Sequence, residues 1–271
     1  MSNGYTYFDV PESQNDEKDG LVQLQEVFGS DVTVVNAARV SFAKEIQAME
    51  PKDAKLLTYL AKHNHVSPFF HPQIRFRFKM PIFVAREWFR HQIGLSRNEV
   101  SRRYVDYKAE CWIPPLADLR ERDPKTKQGS KDTPVKDAES IHAQIKEATD
   151  AAIATYESLL ASGIAPEIAR IILPQSMYTE FIETGSLYAY ARICALRLDP
   201  TAQKEIRNYA TKVDREMAKA FPYAWAALRV QFTPAPVTAS VPVVPVPAAS
   251  VPVIEEKKNI IVEYPDLNYI K

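Results

Sequence analysis

The chain has 271 residues, of which 46% are hydrophobic, and this length suits one large α/β domain with a full core. Lysine plus arginine and aspartate plus glutamate each total 34, so the zero net charge argues against binding to nucleic acid or membrane through the overall field. The polar start of the chain has no apolar targeting segment, and no apolar run approaches the roughly 20 residues of a membrane span, so we expect a cytoplasmic protein.

Local patterns in the N-terminal half predict two strands and three helices after a polar, acidic head, 1–19, that we expect to be disordered. The strands are predicted over 21–28 and 71–80, and the helices over about 31–42, 53–64 and 82–93. The second strand has the clearest signal, because Arg75, Arg77 and Lys79 alternate with apolar residues, which is typical of a strand with one buried face.

The C-terminal half is predicted to be mainly helical. A strand over 104–112 and a mobile surface loop over 118–134 precede predicted helices over 135–160, 166–173, 184–198 and 201–220. From 233 to 271 the composition is dominated by proline, valine and alanine. This composition indicates an extended tail, ending in a short C-terminal segment, that lies outside the core.

Two residue types that often identify a binding site are scarce. The two cysteines, Cys111 and Cys194, lie among apolar residues, which is typical of reduced, buried thiols. The seven glycines form neither GxGxxG nor GxxxxGK[ST], so no backbone cradle for phosphates is predicted. Any cofactor would therefore be held by side chains.

The most informative stretch is REWFRHQIGLSRNEVSRRY, residues 86–104, which places five arginines around one histidine and two glutamates. Guanidinium groups offer a fork of donors that suits phosphate, and Glu99 is suited to accept from a sugar hydroxyl or a base edge. On a helix, Arg86 would lie beside Arg90 and Glu87 beside His91. The plainer interpretation is a solvated, salt-bridged helix face.

The same stretch resembles the signature of the flavin-dependent thymidylate synthase family, written RHR, seven residues, then Ser. Here it reads RHQ, with eight residues before Ser101. Other segments resemble the family in the same order: AARVSF at 37–42, HVSPFFH at 65–71, PIFVAREWFRH at 81–91, IARIILP at 168–174 and LRLDPTAQKEIRNYA at 196–210. The resemblance implies one α/β (α+β) domain over 20–232, with a central, mostly antiparallel sheet flanked by helices, and not a Rossmann fold.

The resemblance also implies an activity, which is reductive methylation of dUMP to dTMP with FAD, NADPH and 5,10-methylenetetrahydrofolate, without a cysteine nucleophile. The implied dUMP-binding residues are Glu87, Arg90, Glu99, Ser101, Arg102, Arg103, Arg170 and Arg197. The implied FAD-binding residues are Ser67, Arg90, His91, Gln92, Glu99, Ser186, Tyr188 and Arg192. Arg197 would be catalytic, because its guanidinium would stabilise negative charge on the uracil ring and make C5 more nucleophilic. The family is homotetrameric, with sites built from more than one subunit.

Two alternative functions remain open. One is a nucleic-acid-binding module, in which the basic strand at 75–79 follows a phosphate backbone. The other is a catalytically degenerate homologue that binds flavin and nucleotide without turnover, because Glu87, Gln92 and Thr201 stand where the family has Gln, Arg and His. A zinc site among the histidines at 63, 65 and 71 is not predicted. A closed site needs further ligands at compatible spacing, and on a helix the first two histidines would point to different sides.

Overall fold

The computed structural model describes residues 5–6, 20–105, 108–124 and 129–232. All elements given below belong to the unit Met1–Thr233. Two residues of the head, Tyr5–Thr6, form a short strand, and our expectations for the rest of the head and for the tail, 233–271, lie outside the described residues.

Five strands in the described part of the chain form one sheet. The strands among the described residues are β1 (Tyr5–Thr6), β2 (Leu21–Phe28), β3 (Gln73–Pro81), β4 (Leu95–Glu99), β5 (Arg120–Arg122), β6 (Ser130–Pro134) and β7 (Tyr178–Ser186). The sheet has the order β1-β2-β3-β7-β4, and each neighbouring pair is antiparallel. The predicted antiparallel sheet is therefore confirmed, and β4 forms one edge of it.

The helices that the structure describes are α1 (Asp31–Arg39), α2 (Pro51–Lys62), α3 (Ile82–Trp88), α4 (Ala138–Ala161), α5 (Pro166–Ala169), α6 (Leu187–Arg197), α7 (Lys204–Ala220) and α8 (Pro222–Phe232). All of them except α4 and α5 contribute buried residues to the core that covers the sheet. The apolar side chains of β3, from Ile74 to Met80, are fully buried against residues of α1, α2, α6, α7 and α8. Their burial confirms the alternation predicted for this strand.

The junction between β7 and α6 places the candidate site. Ser186 ends β7 and is the N-cap of α6, where its Oγ accepts a hydrogen bond from the Ala189 backbone N–H at 3.2 Å. Capping by a serine hydroxyl satisfies one of the free N–H groups at a helix start. Helix α6 then places Arg192 and Arg197 close to His91, which lies in the turn after α3.

Several predicted elements differ from the structure. The helix expected over 184–198 begins only at Leu187, because Tyr178–Ser186 is a strand, and the helix expected to reach residue 93 ends at Trp88. Of the strand expected over 104–112, the described residues, 104–105 and 108–112, show only an isolated bridge between Cys111 and Met177. Non-local pairing forms β7 and the bridge of Cys111, and such pairing leaves no periodic signal in the local sequence.

The expected mobile loop over 118–134 also differs, since its described residues form the hairpin β5–β6. Arg120 anchors this hairpin, because its guanidinium donates to Ser130 Oγ and to Glu205 Oε1, each at 2.9 Å. Glu205 lies in the first turn of α7. The ion pair between Arg120 and α7 therefore orders this hairpin, although its composition resembles that of a loop.

Candidate active site

The arginine-rich stretch divides among three local structures. Helix α3 ends at Trp88, Arg90 and His91 lie in the turn that follows, and the chain then enters β4. The expectation that Arg86, Arg90, Glu87 and His91 share a helix is therefore wrong. The early helix end points Arg90 and His91 at α6 rather than along the α3 surface.

A cavity of about 560 Å³ opens where the end of α3 meets the end of α6. Its charged lining consists of Glu87, Arg90, Arg197 and Asp199. The remaining lining residues are Ala195, Leu196, Thr201, Ala202 and Gln203. Three of the predicted dUMP-binding residues, Glu87, Arg90 and Arg197, thus share one cavity, although Arg197 is 110 positions from Glu87 in the sequence.

Arg197 is held in place by two partners. Its Nε donates to His91 Nε2 at 2.9 Å, and its Nη1 makes an ion pair with Glu87 Oε1. Because His91 Nε2 accepts this bond, the ring proton of the neutral imidazole lies on Nδ1. The Nη2 atom of Arg197 has no hydrogen-bond partner among the described residues. The guanidinium is therefore oriented while one end remains available to a ligand.

His91 is kept neutral by its surroundings. Burial, followed by the positive charge of Arg197 and then those of Arg97, Arg192 and Arg90, lowers its pKa from 6.5 to about 4. Burial and neighbouring cations both disfavour the imidazolium. At neutral pH the ring is thus an acceptor for Arg197 rather than another positive charge.

A buried polar group lies behind this turn. Glu183, fully buried in β7, accepts from Trp88 Nε1 at 3.2 Å and makes an ion pair with Arg97 of β4. Arg97 also donates from Nη2 to the carbonyl oxygen of His91. Burial raises the pKa of the Glu183 carboxyl, and the Arg97 charge opposes that rise. The sequence analysis includes Arg97 in the arginine-rich stretch without assigning it a role, and it does not identify Glu183.

The other predicted dUMP-binding residues do not line the cavity within this chain. Glu99 Oε1 accepts from Thr179 Oγ1 at 2.5 Å, and Ser101 Oγ accepts from the Arg103 backbone N–H at 3.3 Å. The Arg103 guanidinium makes an ion pair with Glu167 at 3.0 Å. Arg102 is buried, whereas Arg170 is exposed in the 3-10 turn Arg170–Ile172. We call the residues from Glu99 to Arg103, with Arg170, the second cluster.

Some of the predicted FAD-binding residues lie near the turn after His91, whereas Glu99 is bonded to Thr179 at the other end of β4. Gly94 packs so closely on α6 that an added Cβ would lie 3.2 Å from Ala189 Cβ and 3.3 Å from Ser186 Oγ. The Tyr188 ring lies 5.1 Å from that of Phe70, which sequence analysis did not identify. Arg192 is close enough to lower the pKa of His91. Ser67 begins the 3-10 turn that holds Phe70, and Gln92 is exposed. Ser186 itself is buried and acts as a helix cap.

The charges around the site favour an anionic ligand. Within the described ranges, neither Arg90, which lines the cavity, nor Arg192, whose charge acts on His91, makes an ion pair with a carboxylate. A guanidinium without a carboxylate partner is well suited to bind phosphate. The paired rings of Phe70 and Tyr188 offer an aromatic surface nearby. This donor set fits a flavin nucleotide and a nucleoside monophosphate.

Other classes of site find less support. Among the residues that the structure describes, no group of three or more His, Cys, Asp or Glu side chains is placed to hold a metal ion. Over the same residues, no helix combines the length and the apolar character of a membrane span. On β3, Arg75, Arg77 and Lys79 are all in ion pairs with glutamates, while the intervening phenylalanines are buried. These pairs weaken the nucleic-acid alternative, because the basic face is already neutralised.

Comparisons with known proteins agree on one family. The family model described as thymidylate synthase complementing protein matches residues 23–223. The flavin-dependent thymidylate synthases of Thermus thermophilus and Thermotoga neapolitana are each 39% identical over 208 residues, which is 77% of this chain and 75% and 90% of theirs. A solved structure of the UMP/dUMP methylase PolB from Streptomyces cacaoi, bound with 5-Br dUMP, matches with a TM-score of 0.70 and 31% identity over 78% of this chain and 95% of that one.

Proposed function

The chain belongs to the flavin-dependent thymidylate synthase family, and from this premise we propose that it methylates dUMP to dTMP in the cavity between α3 and α6. The observation that carries the proposal is the placement of Arg197, which Glu87 and His91 hold in the same cavity as Arg90. The structural match to a dUMP methylase supports the same substrate.

Within this proposal, the two arginines of the cavity have different roles. Arg90 has no carboxylate partner among the described residues and binds an anionic group of the nucleotide. Arg197 donates to the uracil ring and stabilises the negative charge that makes C5 nucleophilic, which is electrostatic catalysis by a preorganised donor. His91 and Glu87 keep the guanidinium in place before the substrate arrives. No cysteine takes part as a nucleophile.

The flavin-binding residues of the proposal are Ser67, Arg90, His91, Gln92, Glu99, Ser186, Tyr188 and Arg192. Arg192 and Arg90 supply positive charge, and the rings of Tyr188 and Phe70 supply an aromatic surface. Ser186 contributes by capping α6 and so fixing the start of the helix that carries Arg192. When bound, the reduced flavin supplies the hydride that completes the methyl group. NADPH as the reductant and 5,10-methylenetetrahydrofolate as the one-carbon donor complete the proposal.

We further propose that the active protein is a cytoplasmic homotetramer with composite sites. The cavity contains Glu87, Arg90 and Arg197, whereas the second cluster, with Ser101, Arg102, Arg103 and Arg170, lines no part of it in one chain. A second copy that presents its second cluster to the cavity would complete the dUMP site. Both cysteines are free thiols, which fits a reducing compartment.

The activity is tested by single turnover of the purified protein with dUMP, methylenetetrahydrofolate and chemically reduced FAD. We expect dTMP, and the isolated protein should absorb near 450 nm, roughly the band of an oxidised flavin. A flavin-containing protein that forms no dTMP would support the degenerate homologue instead. A colourless protein that binds oligonucleotides with steep salt dependence would support the nucleic-acid module.

The composite site is tested by mixing subunits. Arg197→Ala and Arg103→Ala should each lose most of the activity alone, since each removes one part of the site. If the parts come from different subunits, random mixed oligomers should recover roughly a quarter of intact sites. No recovery in oligomers that contain both variants would mean that one chain supplies both residues.

A further inference from the structure

Arg197 is preorganised by contacts that continue beyond the cavity into the sheet. We propose that Arg97 and Glu183 form a positioning pair for Arg197, acting through the turn that carries His91. The inference deepens the proposed function, because it assumes that Arg197 acts on the substrate. Neither residue of the pair lines the cavity.

The pair is built into the strand ladder. Arg97 of β4 lies directly opposite Glu183 of β7 in the antiparallel register. Glu183 is fully buried, and the Arg97 side chain is 15% exposed. The Glu183 carboxylate accepts from Trp88 Nε1 through one oxygen and from Arg97 Nε through the other. The carboxylate is thus fixed by α3 on one side and by β4 on the other.

The other end of Arg97 reaches the turn. Its Nη2 donates to the His91 carbonyl oxygen, and its guanidinium carbon lies 5.2 Å from the centre of the Phe89 ring. The Arg97 guanidinium therefore connects the sheet to the residue before Arg90 and to the residue after it. With the His91 carbonyl held in this way, its imidazole directs Nε2 at Arg197 Nε, 2.9 Å away.

The cost of burying the pair argues for a specific role. Taking a carboxylate and a guanidinium out of water is expensive, and an apolar pair of similar volume is often equally stable. An apolar pair could not hold the His91 carbonyl, whereas the rigid fork of arginine reaches Glu183 and that carbonyl together. Arg97 also lies in the segment that is one residue longer than the family signature, so the signature does not specify its register.

The test compares this pair with a matched pair on the same sheet. Glu183→Gln and Arg97→Met should each lower kcat on the order of 10- to 100-fold, as small displacements of a catalytic group do. KM for dUMP and the flavin content should change little. Arg77 and Glu180 form an ion pair across β3 and β7 away from the cavity. Arg77→Met and Glu180→Gln should leave kcat within about twofold, as most surface substitutions do.

The pH profile separates positioning from simple stabilisation. His91 faces the charges of Arg197, Arg97, Arg192 and Arg90. Arg97→Met removes one of these cations, so the acid limb of the kcat profile should move to higher pH. Glu183→Gln removes a negative charge instead, so the limb should not move upward. The proposal would be overturned if both variants had lower melting temperatures but kept the wild-type kcat and the wild-type acid limb of the pH profile.

A second measurement does not depend on turnover. In protein with ¹⁵N-labelled histidine, the His91 ring, assigned with His91→Gln, should carry its proton on Nδ1. Glu183→Gln and Arg97→Met should reduce this tautomer, and Glu180→Gln should not. An unchanged tautomer in both variants would overturn the inference even if dTMP is formed. If the wild type forms no dTMP, the proposed function fails, and the tautomer still decides whether the pair positions His91. If Glu183→Gln does not fold, Arg97→Met on the edge strand decides alone.

Discussion

The replacement Arg197→Ala tests the central residue of the site. It removes the Nε donor to His91, the ion pair with Glu87 and the Nη2 donor, which has no hydrogen-bond partner among the described residues. A charge-assisted hydrogen bond contributes about 1.5–3 kcal/mol. At about 1.36 kcal/mol for each tenfold change in rate, losing one such bond in the transition state lowers kcat by about 10- to 160-fold.

Stability should change much less than activity. The side chains of Arg197 and Glu87 are 18% and 24% exposed, so Glu87 can be solvated when its partner is removed. A partly exposed ion pair contributes at most about 1 kcal/mol, which for a chain of this size is roughly 2–4 °C in Tm. The fold and the flavin absorbance should therefore survive the substitution.

The assay measures initial rates of dTMP formation at saturating dUMP, with flavin absorbance and melting temperature recorded on the same samples. Arg86→Ala serves as the matched control, because Arg86 is an exposed arginine on α3 next to Glu87 and does not line the cavity. Turnover of Arg197→Ala within about twofold of the wild type, where most surface substitutions fall, would refute the catalytic role of this guanidinium.

Three further outcomes follow from the described contacts. Glu87→Gln removes the carboxylate beside Arg197, so dUMP should bind up to about fivefold more tightly by calorimetry, equivalent to about 1 kcal/mol; weaker binding would contradict this. Because the pKa of His91 is lowered from 6.5 to about 4, the unfolded chain binds more protons between these values and stability should fall as pH falls through them. His91→Gln should flatten that slope in urea denaturation, and equal slopes would contradict the burial of a neutral ring. Cys111→Ser combined with Cys194→Ala should retain dTMP formation, whereas loss of product from a folded double variant would require a thiol in the reaction.

The sheet shows which elements local patterns can predict. Strand β3 was predicted correctly because Ile74, Phe76 and Phe78 alternate with charged residues and are buried on one face. Strand β7 has the same alternating burial, but its inward residues include Thr179, Glu183 and Gly185 as well as Phe181. An alternation of mixed polar and apolar residues has no period-2 hydrophobic signal. Sequence analysis therefore predicts no strand here and assigns the last three residues of β7, from Thr184 to Ser186, to the following helix.

The residues of the site also separate into those that local motifs identify and those that only the folded chain brings together. Ordered sequence segments were enough to identify the family and to select Arg90 and Arg197, since short motifs keep their residue types and spacing. The contact between His91 and Arg197 joins residues 106 positions apart, and that between Arg97 and Glu183 joins residues 86 positions apart. No spacing rule relates such residues before the chain is folded.

The amino-acid sequence by itself determined the family, the strong strand and most helices, because these depend on local periodicity and on short ordered motifs. Only the tertiary structure decided that Glu183 is buried and that Arg97 satisfies it, because a carboxylate is tolerated in a core only where a partner from another strand reaches it. The same pairing places Arg97 against the His91 carbonyl oxygen, next to the imidazole that contacts Arg197. Those features depend on the register of β4 against β7, which is set by the whole sheet.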